Sequence, residues 1–343
     1  MMALLHTFQS IAHALKHNVV VKLLIVSVLL FTACEYLARQ TNLFYPRKIS
    51  DLMRLQKDYR HPHPYTMFTE PIHYPPTDKS PDEYRVIMTG GSTVQFGNPP
   101  LPDLLQQSAA GNNFHRTKVY NFGVISQNSG QELAQLVHSI VDYKPDLVIF
   151  YDGGNDILDP FHSDPRPGYP FNFIVYQKNP LMYKAGHYPL FSLILFKSQL
   201  IRMLFKGYFE EHFLNLKELR KKVGYRSEPW RQQIADEYLK NILKAERIAH
   251  QFDSQFIAFF QPLRYNQKKP NPDLDEARAF HAQDVSRKIR EGMQRFPSLS
   301  IVDLSGTVAD QREDIFWDDI HVNDDYNAVI AGQIFHHIRK YLK

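Results

Sequence analysis

Cysteine is almost missing from this chain: Cys34 is the only one in 343 residues. An intramolecular disulfide and any cysteine-built zinc site are therefore excluded, and thiol usage says nothing of compartment. An excess of one charge is lacking too. The formal net charge of +4 is small for this length, and no basic patch interleaves with aromatics, so no nucleic-acid partner is expected. His61, His63 and His73 could in principle hold a metal, but the proline-rich run around them reads instead as an arm packed on a domain. Neither a metal nor a cofactor is expected. What is present is ordinary for a globular protein: 43% hydrophobic and 22% charged residues, in a chain long enough for one large domain or two smaller ones. The aromatic share of 13%, mostly Phe and Tyr, reads first as core and otherwise as a surface for sugars or lipid.

After an N-terminal tail, residues 1–18, the stretch Val19 to Cys34 is apolar except for Lys22, Ser27 and Thr32. It is near the minimum length of a membrane-spanning helix and extends through Tyr36 to Ala38 if Glu35 snorkels. A cleaved signal peptide with an apolar region from Leu23 to Ala33 is the rival reading, but no good small-x-small site follows it. Phe31-Thr32-Ala33-Cys34 loosely resembles a lipoprotein processing site. An uncleaved signal anchor over residues 19–38 is the expectation adopted. Lys16 on one side faces Arg39, Arg47 and Lys48 on the other, so flanking charge leaves orientation open. A short anchor ahead of one soluble domain points to an extracytoplasmic domain, periplasmic or at the cell surface.

Residues 39–83 are rich in Pro, His and Tyr and read as a connecting arm. From 84 to 343 short apolar runs alternate with amphipathic segments. Strands are expected at Arg85–Met88, Lys118–Tyr120, Asp146–Tyr151, Ser254–Phe260 and Leu299–Asp303, and helices at Gln131–Val141, Trp230–His250, Ala277–Phe296 and Tyr326–Tyr341. Such alternation predicts an α/β fold with a parallel sheet covered on both faces, whose ligand site lies at the carboxyl ends of the strands. An insertion of about 159–222 fits no regular unit. It opens with Pro160, Pro165, Pro167 and Pro170 and turns apolar at Phe191–Phe196 and Leu200–Phe205. It reads as a helical cap, or as an acyl-pocket lining or membrane contact.

Four short blocks stand out, three at or near predicted strand ends, Gly90-Gly91-Ser92-Thr93, Asn121-Phe122-Gly123 and Gly153-Gly154-Asn155-Asp156, and one between the last predicted strand and the last helix, Asp318-Asp319-Ile320-His321. Alone, the first is a strand-to-helix turn capped by Ser92 or Thr93. It is not a Gly-x-Ser-x-Gly elbow, since Val94 takes the last place. The set reads differently. A serine hydroxyl needs a base, and histidine is the usual one near neutral pH. His321 has Asp318 three residues before it, so one short loop can place an acid against the imidazole, although Asp319 competes for that part. Asn155, otherwise an Asx turn residue, can donate an amide hydrogen to a developing oxyanion, and Asp156 can fix its loop.

On these blocks the chain resembles the SGNH/GDSL hydrolase family over roughly residues 84–343, and more narrowly its membrane-anchored envelope members whose first block reads Gly-Gly-Ser-Thr. The resemblance implies a flavodoxin-like three-layer α/β/α sandwich and metal-free hydrolysis or transfer of acyl esters. It makes Ser92 the nucleophile, His321 the base and Asp318 the orienting acid. The oxyanion hole would be the Ser92 N–H, the Asn155 side chain and a second-block N–H. That donor is usually a glycine five residues after the block's asparagine; here the position is Ser126, and Gly123 is an earlier, different glycine. Gly91 stands where many relatives have Asp, and Tyr326 where a glycine is frequent.

The expected function is a serine esterase or O-acyltransferase working through an acyl-enzyme on Ser92, with acetyl groups on cell-envelope glycans as its substrate. A lipase or thioesterase for longer chains, supported by the apolar insertion, is one alternative. A non-catalytic glycan-binding or assembly factor is another, against which the full set of Ser92, Asn155, Asp318 and His321 speaks. The expected partners are an acylated glycan or lipid-like ester and the membrane.

Overall fold

A computed structural model describes residues 19–40, 74–171, 173–177, 198–205, 211, 214–267, 275–311 and 315–343. Tail 1–18, the arm's His61, His63 and His73, and the apolar run Phe191–Phe196 lie outside the described residues. The described parts fall into two compact units, one from Met1–Ser50 with Gln177–Leu216, the other from Asp51–Tyr176 with Lys217–Lys343.

The larger unit is built on five parallel strands: β1 (Tyr84–Gly90), β2 (Thr117–Asn121), β3 (Leu147–Asp152), β4 (Gln255–Phe260) and β5 (Ile301–Asp303). Their order is β2-β1-β3-β4-β5, the flavodoxin-like arrangement, in which ligands bind where the strand order reverses, beyond the carboxyl ends. Alternation of side chains along each strand divides the interior into two cores. Val86, Met88, Leu147, Ile149, Tyr151, Ile257 and Phe259 face one side. There Leu101, Leu105 and Ala109 of the helix Leu101–Gly111 and Ile330, Ile334 and Ile338 of the helix Asp324–Ile338 cover them at helical spacing. Ile87, Val148, Phe150, Phe256, Ala258 and Phe260 face the other side, under the helices Ser129–His138, Glu228–Gln251 and Glu276–Arg295. Strands buried on both faces must read as continuous apolar runs, as these do.

The expected strands and helices are all present, with ends displaced by a few residues. The stretch read as one helix to Val141 stops at His138 and continues as a 3₁₀ turn, Ile140–Tyr143. Among the described residues, the helices Leu101–Gly111 and Gly154–His162 escaped the reading of the sequence. Leu101–Gly111 starts among prolines, with Pro102 in its first turn where a missing N–H costs nothing. Gly154–His162 carries Pro160 within it, so its second half resembled the start of a proline-rich insertion.

The smaller unit contains the helix Val19–Gln40, of which Val19–Leu37 is long and apolar enough to cross a membrane, with mean hydropathy 2.1. A membrane anchor and a signal sequence both have this character. The Glu35 carboxylate accepts the Ser198 hydroxyl at 2.6 Å and the Leu200 N–H at 2.9 Å, and so caps the short helix Gln199–Leu204.

Candidate active site

Parallel pairing brings the carboxyl ends of neighbouring strands together: Met88 lies against Asn121, Gly90 against Tyr151, and Asp152 against Phe260. The chain leaving each end carries the candidate residues. Beyond Gly90 it bends at Gly91 and starts the one-turn helix Ser92–Gln95. Gly91, not the serine, is the cap. Ser92 opens the helix, where backbone N–H groups have no intrahelical acceptor and point outward. Its side chain is nearly buried.

The Ser92 hydroxyl lies 2.7 Å from His321 Nε2, and His321 Nδ1 lies 2.7 Å from Asp318 Oδ2. A proton on Nδ1, donated to the carboxylate, leaves Nε2 to accept from the serine. The other Asp318 oxygen accepts the N–H groups of Ile320 and His321 at 2.9 and 2.8 Å, so the loop grips its acid before the imidazole does. Burial pushes the Asp318 carboxyl up, but the bond and charge attraction of His321 with those two N–H donors outweigh it and hold the group below its ordinary value. The competition between Asp318 and Asp319 is resolved by direction. Asp319 turns away to the Tyr265 hydroxyl at 2.7 Å and Arg278 Nη1 at 3.0 Å.

Asn155 sits in the first turn of the helix Gly154–His162 and donates Nδ2–H to the Gln127 carbonyl at 2.7 Å. A second amide hydrogen stays available. A Cβ on Gly91 would lie 2.5 Å from Asn155 Nδ2, so the missing side chain is what lets the amide stand beside the Ser92 turn. Gly153 before it has φ +100° and Phe260 ring atoms within 2.6 Å of any Cβ, which restricts the position to glycine. Ser126 lies in a turn closed by Gln127 N–H to the Val124 carbonyl at 3.1 Å, and its φ is +56°. That left-handed backbone is the one a glycine would adopt freely, and the serine is held in it. Gly123 plays another part: its N–H donates to Asn121 Oδ1, and it packs on the backbone of Gln95.

Three glutamines were not picked out from the sequence. Gln127 supplies the carbonyl that Asn155 grips. Gln95 Oε1 accepts the Ile125 N–H at 2.7 Å. Gln261, just past β4, accepts the Thr93 hydroxyl at 3.1 Å while its amide nitrogen lies 2.3 Å from where a Gly154 Cβ would be. The only sequence signal for Gln95 and Gln127 was a place downstream of a glycine-bearing block, and Gln261 follows a strand end that carries no glycine. Below the Asn155 loop, Glu132, Asp152, Asp156 and Asp159 are buried together. Asp156 accepts the Ser129 N–H at 3.0 Å, tying two helix starts, and Asp152 accepts the Tyr238 hydroxyl at 2.7 Å. Burial and then the Asp156 charge push Asp152 up to about 7; burial and the Asp152 and Asp156 charges push Glu132 well above the usual carboxylate range. Among the described residues no group of three or more His, Cys, Asp or Glu is arranged to hold a metal.

A family model described as GDSL-like Lipase/Acylhydrolase matches residues 82–334. No curated protein matches. Among solved structures, a GDSL-like lipase from Bacteroides thetaiotaomicron is 13% identical with a TM-score of 0.42, over 77% of this chain and 92% of that one. A lipase/acylhydrolase from Enterococcus faecalis is 14% identical with a TM-score of 0.41, over 76% and 97%. A catalytic mutant of an acetylxylan esterase from Geobacillus stearothermophilus is 13% identical with a TM-score of 0.42, over 76% and 96%. At such identities and TM-scores none of them bears on this chain's substrate.

Proposed function

We propose, from the premise that this chain belongs to the GDSL-like lipase/acylhydrolase family and is an ester-hydrolysing serine hydrolase, that Ser92 is its nucleophile, His321 its base and Asp318 the acid that orients the base. The observation that carries the assignment is the unbroken relay from Ser92 through His321 to Asp318, with both contacts at 2.7 Å, assembled from chain segments more than two hundred residues apart. In this reading His321 takes the Ser92 proton as the hydroxyl oxygen attacks the ester carbonyl. The tetrahedral oxyanion is met by the Ser92 and Ser126 N–H groups and by Asn155 Nδ2. His321 then returns the proton to the leaving alcohol, and water or a second alcohol releases the acyl group by the same path.

The substrate we propose is an acetyl or other short acyl ester on a cell-envelope glycan, with release to water or transfer to another hydroxyl. The apolar helix Val19–Leu37 supports an anchored, extracytoplasmic enzyme that meets such polymers. The test is fluorophosphonate labelling of the full chain beside Ser92→Ala, followed by synthetic esters of increasing acyl length. Labelling that vanishes with Ser92→Ala, with turnover best on acetyl, is expected. Labelling that persists removes the nucleophile, and rates that climb with acyl length replace the glycan ester with a lipid-like one.

A further inference from the structure

The second oxyanion donor proposed above is the least comfortable piece of the site. A serine at φ +56° carries a Cβ against its own backbone, and such conformations persist only where the surroundings over-determine them. The turn before it is tied in three places. Val124 N–H donates to the Gly90 carbonyl at 2.9 Å, prolonging the pairing of β1 and β2, and Gln127 N–H closes the turn onto Val124. The third tie, on Ile125 immediately before Ser126, is made by a side chain, Gln95 Oε1 at 2.7 Å, and just after Ser126 the Asn155 amide holds the Gln127 carbonyl at 2.7 Å.

Gln95 is an odd choice for a filler. It is 2% exposed, and its buried amide nitrogen has no hydrogen-bond partner among the described residues. An apolar side chain of the same size would avoid that orphan but would strand the Ile125 N–H instead. The residue sits three places after Ser92 on the same helical turn. Gly123, whose Cβ would fall 2.5 Å from Gln95 N, brings the Ser126 loop directly onto that turn, and Asn121 Nδ2 donates to the Val94 and Gln95 carbonyls at 3.2 and 3.4 Å. Any shift of the turn therefore reaches both the nucleophile and the loop.

We infer that Gln95 is a positioning residue for the second oxyanion donor: its side-chain carbonyl, borne on the nucleophile's own turn, holds Ile125 so that Ser126 stays left-handed and its N–H faces the reacting carbonyl. The inference rests on the proposed role of Ser126, and its experiment separates the two. Turnover of a short-chain ester is measured for Gln95→Met in the wild-type background and in the Ser126→Gly background, with kcat and KM resolved. Removing an oxyanion donor outright costs ~10²–10³ in kcat; a misplaced one costs less. Gln95→Met is expected to lower kcat about tenfold with KM little changed in the first background, and under about threefold in the second, because glycine needs no help to stay left-handed. Equal falls in both backgrounds, or none in the first, would overturn the role of Gln95 while leaving the Ser92 reading intact. Loss of turnover in the wild type itself would instead sink the enzyme assignment. Amide exchange in the unmodified chain gives a reading that needs neither turnover nor a folded variant. The Ile125 amide is expected to be as protected as Val124, and exchange as fast as at the exposed turn residue Asp82 would refute the tie.

Discussion

Four carboxyl groups share the interior beneath the Asn155 loop, and their ionisation must cost the fold something as pH rises. Asp152 is 2% exposed, and burial with the Asp156 charge raises it from an ordinary 3.8 to about 7. In the unfolded chain it ionises near pH 4, while in the fold it keeps its proton until about 7. The folded state thus binds more protons between those limits, and stability is full below pH 4 and is lost as pH climbs through the window. The ceiling is ~1.4 kcal/mol per pH unit, or roughly 2–3 kcal/mol from pH 5 to pH 7. For a domain of this size each kcal/mol moves Tm by ~2–4 °C. Asp152→Asn removes the proton while keeping the shape and an oxygen for the Tyr238 hydroxyl. Calorimetric Tm of the full chain in detergent, taken at half-unit steps from pH 5 to pH 8, should fall for the wild type relative to Asp152→Asn by about 5 °C or more. His281, which burial lowers to about 4 and which therefore gains stability as pH rises from about 4 to 6.5, is common to both proteins and cancels. Parallel curves would refute the account, because they would mean that Asp152 is ionised in the fold at pH 5.

Asp318→Asn should keep the loop, since an amide oxygen still accepts the Ile320 and His321 N–H groups, but it no longer draws the Nδ1 proton. A fall in kcat on the order of 10³–10⁴ with near-normal KM is expected on a chromogenic acetyl ester. Asn155→Ala removes both the proposed oxyanion donor and the hold on Gln127, and steady-state kinetics should record ~10²–10³ lost from kcat; a loss under tenfold would take Asn155 out of the proposed hole. Gly91→Ala puts a methyl 2.5 Å from Asn155 Nδ2, and a flexible amide gives way before backbone does. That variant should lower kcat by tenfold or more while its thermal midpoint stays within about 2 °C of wild type.

Legibility differed by kind of element. The three central strands, β1, β3 and β4, read as apolar runs because a parallel sheet covered on both faces has no solvent side to interrupt them, while the shorter edge strands β2 and β5 are only partly buried. Leu101–Gly111 and Gly154–His162 were hidden because proline marks both a helix start and a helix break, and only the surrounding packing says which. Asp318 and His321, three residues apart, could be paired from spacing, while Asp319 is a competitor that the sequence does not exclude and that its contacts with Tyr265 and Arg278 direct elsewhere. Gln95, Gln127 and Gln261 gave almost no signal, since a glutamine's value here lies in which buried N–H or hydroxyl its carbonyl meets.

The local chemistry belongs to the sequence alone: which residue types stand at strand ends, where glycines permit close approach, and the apolar stretch from Val19 to Leu37. These follow from side-chain identity and short-range periodicity, which need no partner. The tertiary structure alone decided that Ser92 meets His321, that Asp318 and not Asp319 faces it, and that Ser126 is held left-handed. Those facts depend on strand order and register, which bring together residues the chain keeps far apart.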